Sequence, residues 1–516
     1  MQREQTLQRA RPSLAGARMR PRDPRKALVV LACFFAAAMS AGAAATRSAV
    51  TTVHSCSPPA DSPDLVISPP HLEILRFGAC VAAHENTLAI ASPTEGDLGN
   101  QAGRIDVLTI ALDERGDPHA VPFEVLIGNG GGDHFGSSLA LTAHPVAARR
   151  LLLVGADGAS LDPNESGGFE GAVHLYESRP EQPAFIHRAT VHAATPEPGA
   201  EFGRAVAWHP SADAFAVGAH RHDYKAIPDA GSVTVFIQSG HADDSRWKPA
   251  QEIHAASPQM SDWFGASVSM GVSRTGDWLA IGAPGRDLSP ELRGGGAVLL
   301  YRRTASGAYD FVRTLVSPRP RRFAWFGTSL AIEAGRIAVG EPRGHPAASE
   351  PAPRAGAAWI FELDAPDAPA VALAAWPAQD GAGFGQSVVM SHERVVVGAP
   401  GFDRWNAESG EPIEDNGRAF VFSTSGEPLR VLETAASHPS ALFAPTAAIL
   451  DLGRTHIAAL GHLYTEEESP APSPGVALFA ITTDDPTAAA QPDASVPIPR
   501  TTWPGSAASR RHARSR

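Results

Sequence analysis

One feature constrains this chain more than any other: it repeats. The dipeptide Phe-Gly recurs at Phe77, Phe135, Phe202, Phe264, Phe326 and Phe384, and a variant copy stands at Phe443, where Ala444 replaces the glycine. Each copy runs on as an apolar alternation such as FGASVSM or FGTSLAI. A second block follows, its glycine slot 14 to 20 residues after each Phe: IASP at 90–93, LVGAD at 153–157, AVGAH at 216–220, AIGAP at 280–284, AVGEP at 338–342, VVGAP at 396–400 and the weak ALGH at 459–462. A third block opens on Gly103, Gly171, Gly231, Gly296, Gly356, Gly417 and Gly475 and reads as a strand, and a looser apolar fourth block precedes the next Phe. Seven units of four short, half-buried strands separated by Gly- and Pro-rich turns predict an all-β, seven-bladed β-propeller. An isolated blade cannot hide its two apolar faces, whereas seven stacked in a ring cover one another.

The ring's closure is legible too. Leu65–Ser68 matches the strand that precedes a Phe-Gly, but no unit comes before it. The seventh unit ends near Ile481 without a fourth strand. The N-terminal strand is therefore expected to complete the last blade. The expected domains are a signal peptide over 1–45, a linker over 46–63, the propeller over 64–483 and a disordered Pro/Ala-rich basic tail over 484–516.

The pairing of FG-x-S with (V/I)-G-A-P and G-A-V-x-hydrophobic-aromatic resembles the FG-GAP repeats of the integrin α-subunit propeller, and more closely bacterial FG-GAP repeat proteins. The resemblance spans roughly residues 64–482. It implies a seven-bladed propeller used for extracellular binding of proteins or sugars, hence a cell-adhesion role. Several integrin blades carry a D-x-D-x-D-G calcium loop after the Phe-Gly strand. Here those stretches read LTAHPVAARRLL, GVSRTGDWL and EAGR, so those calcium sites are not carried over, and no cofactor is expected.

Charge and targeting fit export. Residues 1–26 are basic, Ala27–Met39 is apolar, and Ser40–Ala45 is small, which is the layout of a secretory signal cleaved after Ala45. An uncleaved anchor is the alternative. The net charge is −12, and removing residues 1–45 takes away eight basic and two acidic side chains to leave −18. Such a body repels phosphate backbones, so a nucleic-acid partner is excluded. No later apolar run is long enough to span a membrane. The expected protein is a monomer that is secreted, displayed at the cell surface or held in the periplasm.

The loops after the second block share an acid at one offset: Asp223, Asp287 and Asp403, with Arg286 and Arg404 beside two of them. They are candidates for a ligand-facing surface or for Asx-turns that shape their own loops. His220 and His222 with Asp223 form an H-x-H-D cluster that suits a metal, and Asp157, Asp162, Asn164 and Glu165 make an oxygen-rich loop that suits calcium. A solvated loop is the plain reading of each. Cys80 occupies the small-residue slot held by Ser138, Ala205, Ser267, Ser329, Ser387 and Thr446 in the other units. A Cys56–Cys80 disulfide and a simple buried small side chain stand as its alternatives, and the repeated serine reads as structural. No H-E-x-x-H, G-x-S-x-G or P-loop motif occurs. The function expected is a non-catalytic binding module for an extracellular protein or glycan. The alternatives are a lectin-like multivalent sugar binder and a hydrolase built from loop carboxylates.

Overall fold

The computed structural model describes residues 60–481 apart from 62, 70–75, 95–101, 146–147, 162–167, 240–245, 346–353, 392, 407–410, 435–441, 454 and 464–474. The signal sequence, Cys56 and the C-terminal tail lie outside the described residues, as do Asp162, Asn164 and Glu165. No helix occurs among the described residues, and none there is long and apolar enough to cross a membrane. The strands form seven antiparallel four-stranded sheets in a ring, a seven-bladed β-propeller.

The fourth blade shows the plan. Its strands are Ser267–Ser273, Gly276–Ala283, Ala297–Arg303 and Tyr309–Leu315, each paired with the next. Antiparallel order puts the two hairpin tips of every blade on one face. The loops between second and third strands, and the connections to the next Phe-Gly, emerge on the other face. We call this second face the loop face.

The repeated residues make the seams between blades. All seven Phe side chains are 0–2 % exposed. Phe264 packs with Val233 and Val235 of the third blade and with Leu279 and Ile281 of the fourth. Burying one such ring removes enough apolar surface to contribute about 2–3 kcal/mol. The residue after each Phe takes a positive φ, from 87° at Gly78 to 97° at Gly136, and Ala444 adopts 61° in the variant copy. This turn aims its carbonyl at the previous blade. There it receives the hydroxyl of the small-residue slot: Ser138 Oγ donates to Gly203 O at 2.7 Å, Ser267 to Gly327 at 2.7 Å, Ser329 to Gly385 at 2.9 Å and Ser387 to Ala444 at 2.9 Å. The repeated serine is thus an inter-blade hydrogen-bond donor. The second-block glycine beneath must lack a side chain, because a Cβ on Gly282 would lie 2.3 Å from the Gly327 carbonyl oxygen.

Closure takes the expected form. Leu65–Ile67 pairs antiparallel with Gly475–Ala480 in the register Leu65–Leu478, Val66–Ala477 and Ile67–Val476, as the outer strand of the seventh blade. Thr446 Oγ1 donates to Gly78 O at 2.8 Å across the closing seam. Phe77 fills the gap between Leu65, Val476 and Leu478 on one side and Leu88 and Ile90 on the other. One pairing falls inside the stretch read as linker: Ala60–Asp61 adds in parallel to Pro428–Leu432, a fifth strand on the sixth blade. The N-terminal segment therefore ties two adjacent blades.

Candidate functional site

The three loop-face aspartates hold their own loops. Asp223 Oδ1 accepts the Asp229 N–H at 2.9 Å, Asp287 Oδ1 accepts Gly294 N–H at 2.7 Å, and Asp403 Oδ1 accepts Asp415 N–H at 2.9 Å. In each case the backbone N–H of the aspartate is itself taken by a side chain five residues ahead of the same blade's Phe. Glu197 accepts from Asp223 at 2.9 Å, Gln259 from Asp287 at 3.1 Å and Gln379 from Asp403 at 2.6 Å. The shared offset is the signature of this brace. Sequence reasoning missed its second half, although Glu197, Gln259 and Gln379 stand at one spacing in the same three units that carry the aspartate.

Arg286 is an anchor too. It donates to Asp262 Oδ2 at 2.7 Å and to the Ser257 carbonyl at 3.0 Å. Asp262 is fully buried, and burial pushes its carboxyl up to about 6 despite the guanidinium beside it. The backbone of Arg404 lies in a small hairpin, Arg404–Asn406 against Glu411–Ile413, on the loop after the second strand of blade six.

The H-x-H-D cluster divides. His220 turns inward to a buried group between blades two and three. Its Nε2 lies 3.6 Å from Glu201 Oε2, and Arg221 pairs with Glu201 Oε1 at 3.1 Å. Asp157 belongs to this group: it bonds His134 Nδ1 at 3.1 Å and pairs with Arg204 at 3.6 Å. Burial, with the Asp157 charge second, pushes Glu201 up to about 7 against the pull of Arg221 and Arg204. Its side chain is only 5 % exposed, so this proton is sealed from a substrate. The cluster binds two blades by charge.

His222 turns outward. Its Nδ1 lies 3.0 Å from Glu197 Oε2. Across blade three it faces Glu252 and His254, and one donor atom of each of these three residues lies within 4.8 Å of the others. Sequence gave no sign of this grouping, because Glu252 and His254 sit at the end of a fourth strand some thirty residues on.

The hairpin-tip face, where integrin calcium loops lie, carries a different arrangement. Arg303 pairs with Asp213 at 2.9 Å and Asp277 at 3.7 Å, and His209 lies 3.3 and 3.2 Å from the same two carboxylates. The His209 hydrogen bond, then Arg303, holds the Asp213 carboxyl well below the usual range. Arg303 already pairs with these acids.

Cys80 carries a free thiol, and burial in the seam between blades one and two pushes it up to about 11.

On the loop face, Phe323 on the connection into blade five is 46 % exposed, and Met260 on the connection into blade four is 69 % exposed. The half-buried Trp263 and Trp325 rings lie 6.5 Å apart, each directly preceding a seam Phe. Arg343 lies 3.5 Å over the Trp325 ring, and Arg322 lies 4.9 Å over Phe323. The Phe323 N–H donates to the Arg293 carbonyl, which brings that exposed arginine alongside. Burial, then repulsion by Arg354, pulls Arg343 down to about 10. Burial pushes the Glu341 carboxyl, two residues before Arg343, up to about 7.

No protein-family model matches the chain, and no curated protein does. Among solved structures, the crystal structure of Saccharomyces cerevisiae Sqt1 is similar to it over 82 % of this chain and 100 % of that one, at 10 % identity and a TM-score of 0.44.

Proposed function

We propose that the protein is an exported, non-catalytic binding module that engages an extracellular protein through the loop face of blades four and five. The observation that carries this reading is the arginine–aromatic patch of Trp263, Arg322, Phe323, Trp325 and Arg343 on a chain whose net charge is −12. Trp and Arg anchors with polar surroundings are what protein interfaces use for most of their binding energy. A patch of this sign selects an acidic partner surface and speeds its approach. The resemblance to FG-GAP repeat proteins and the signal-like N-terminus support an adhesion role outside the cytoplasm. A tryptophan directly precedes the Phe at adjacent units four and five and at no other, which favours one partner over repeated sugar sites.

The test is capture of acidic extracellular proteins from an array by the purified chain, beside a glycan array. Arg322→Glu combined with Trp325→Ala should lower affinity at least tenfold, and Asp403→Ala should leave it within twofold. Binding that survives the double variant, or a hit confined to glycans, would overturn the assignment.

A further inference from the structure

We infer that blade three carries a zinc-type metal site made of His222, Glu252 and His254. The three residues come from two segments that only the folded blade brings together. His222 lies on the loop after the second strand, and Glu252 and His254 lie at the outer end of the fourth strand, Arg246–Ile253. One donor atom from each lies within 4.8 Å of the other two. Modest side-chain rotation closes that spacing onto metal–ligand bonds of about 2.0–2.2 Å. Two imidazoles and one carboxylate suit zinc, with a fourth position left to water. Calcium prefers an all-oxygen shell and is disfavoured.

The surroundings hold the donors in place. His222 Nδ1 faces Glu197 at 3.0 Å. A carboxylate on one ring nitrogen fixes the tautomer and leaves Nε2 to bind, the arrangement common behind metal-bound histidines. Tyr224 stacks flat on His254 at 3.7 Å between centroids, with the planes 11° apart. His254 Nε2 lies 3.6 Å from Glu252 Oε1. The Lys225 Nζ lies over the Tyr224 ring at 4.8 Å. A dication would supply the charge that Glu252 and Glu197 face. The donors are partly exposed, at 14 % for His222, 17 % for His254 and 30 % for Glu252, so an ion can enter and keep one open position.

Equilibrium dialysis of the full chain against zinc chloride tests this, with cobalt chloride as a spectroscopic probe. The expected result is one zinc per chain, and visible absorption of tetrahedral cobalt. His254→Ala and His222→Ala should each weaken retention at least tenfold. His192→Ala, which removes the histidine at the matching strand end of blade two, should not change it. If His254→Ala melts well below the parent, His254→Gln takes its place. Absence of stoichiometric zinc in a chain with its native melt would overturn the site, as would retention unchanged in His222→Ala/His254→Gln. Calcium binding that competes with zinc at the same residues would overturn the choice of ligands.

Discussion

The seam between blades four and five and the seam between blades one and two are built to the same plan with different parts. In the first, Ser267 donates to the Gly327 carbonyl, and Gly282 beneath leaves room for both. In the second, Cys80 stands in the serine slot and Ala91 in the glycine slot, and the two are cross-strand partners. These two exchanges are one event. A Cβ on the slot glycine would lie 2.2 Å from Ser267 Oγ in blade four, 2.2 Å from Ser329 Oγ in blade five and 2.4 Å from Ser387 Oγ in blade six. A serine bonded in this way therefore requires glycine opposite, and alanine opposite excludes the serine geometry. The variant seam keeps its buried Phe135 at 2 % exposure and gives up the hydrogen bond. Apolar filling is the indispensable part of a seam, and the hydroxyl bond is an increment.

The comparison can be broken most severely at the closing seam. Deletion of residues 61–70 removes the strand that covers the seventh blade and bares Leu478 and Phe77. We expect the cooperative melt to fall by more than 15 °C or to disappear, measured by circular dichroism. An unchanged melting temperature would refute closure by this strand.

The intact seam of blade five holds one ill-matched part, Glu341, where units two, three, four and six carry alanine. It is fully buried and accepts from Ser317 Oγ at 2.9 Å and Trp359 Nε1 at 2.6 Å. Its folded value, raised from 4.5 to about 7, means that the native state holds a proton more tightly than the unfolded chain. The stability it contributes is complete below about pH 4.5 and is lost as pH rises through 7. Glu341→Gln should therefore stabilise the protein at pH 8 by up to about 3 kcal/mol and leave it little changed at pH 4.5. Urea melts at the two pH values measure this, and an equal effect at both would show that burial does not hold the carboxyl protonated.

A smaller effect is expected of Ser329→Ala, which leaves the Gly385 carbonyl without its donor. A loss of about 1–2 kcal/mol should appear in the urea midpoint. The finest test is a double-mutant cycle under reducing conditions. Cys80→Ser alone should gain nothing because Ala91 blocks the geometry, whereas Cys80→Ser with Ala91→Gly should show a favourable coupling of about 1 kcal/mol. Strict additivity would break the argument that the two slots exchange together.

The seams were readable in the sequence because each repeated residue answers a demand that recurs seven times. The Phe must fill a gap, Gly78 and its counterparts must turn, and Gly282 and its counterparts must leave space. Closure was readable because Leu65–Ile67 copies a strand whose unit is missing. The braces of Asp223, Asp287 and Asp403 were half readable, since the aspartates share an offset from the second block while their partners lie upstream of the same unit's Phe-Gly. His222, Glu252 and His254 were not readable, because their meeting depends on where one blade's fourth strand ends beside its own loop. The patch of Trp263 and Trp325 was hidden for the opposite reason. Those residues vary from unit to unit, and a search for repetition averages them away.

The strand Leu65–Ile67 is also among the first parts of the propeller to leave the ribosome, and its partner Gly475–Ala480 is nearly the last. Until the seventh unit exists, nothing along the chain offers this strand its own register, and its apolar edge stays open to any passing β-edge. Vectorial synthesis thus runs against the architecture: six blades can stack while the two ends wait. Whatever carries the nascent chain must shield this strand longer than any other segment of the propeller.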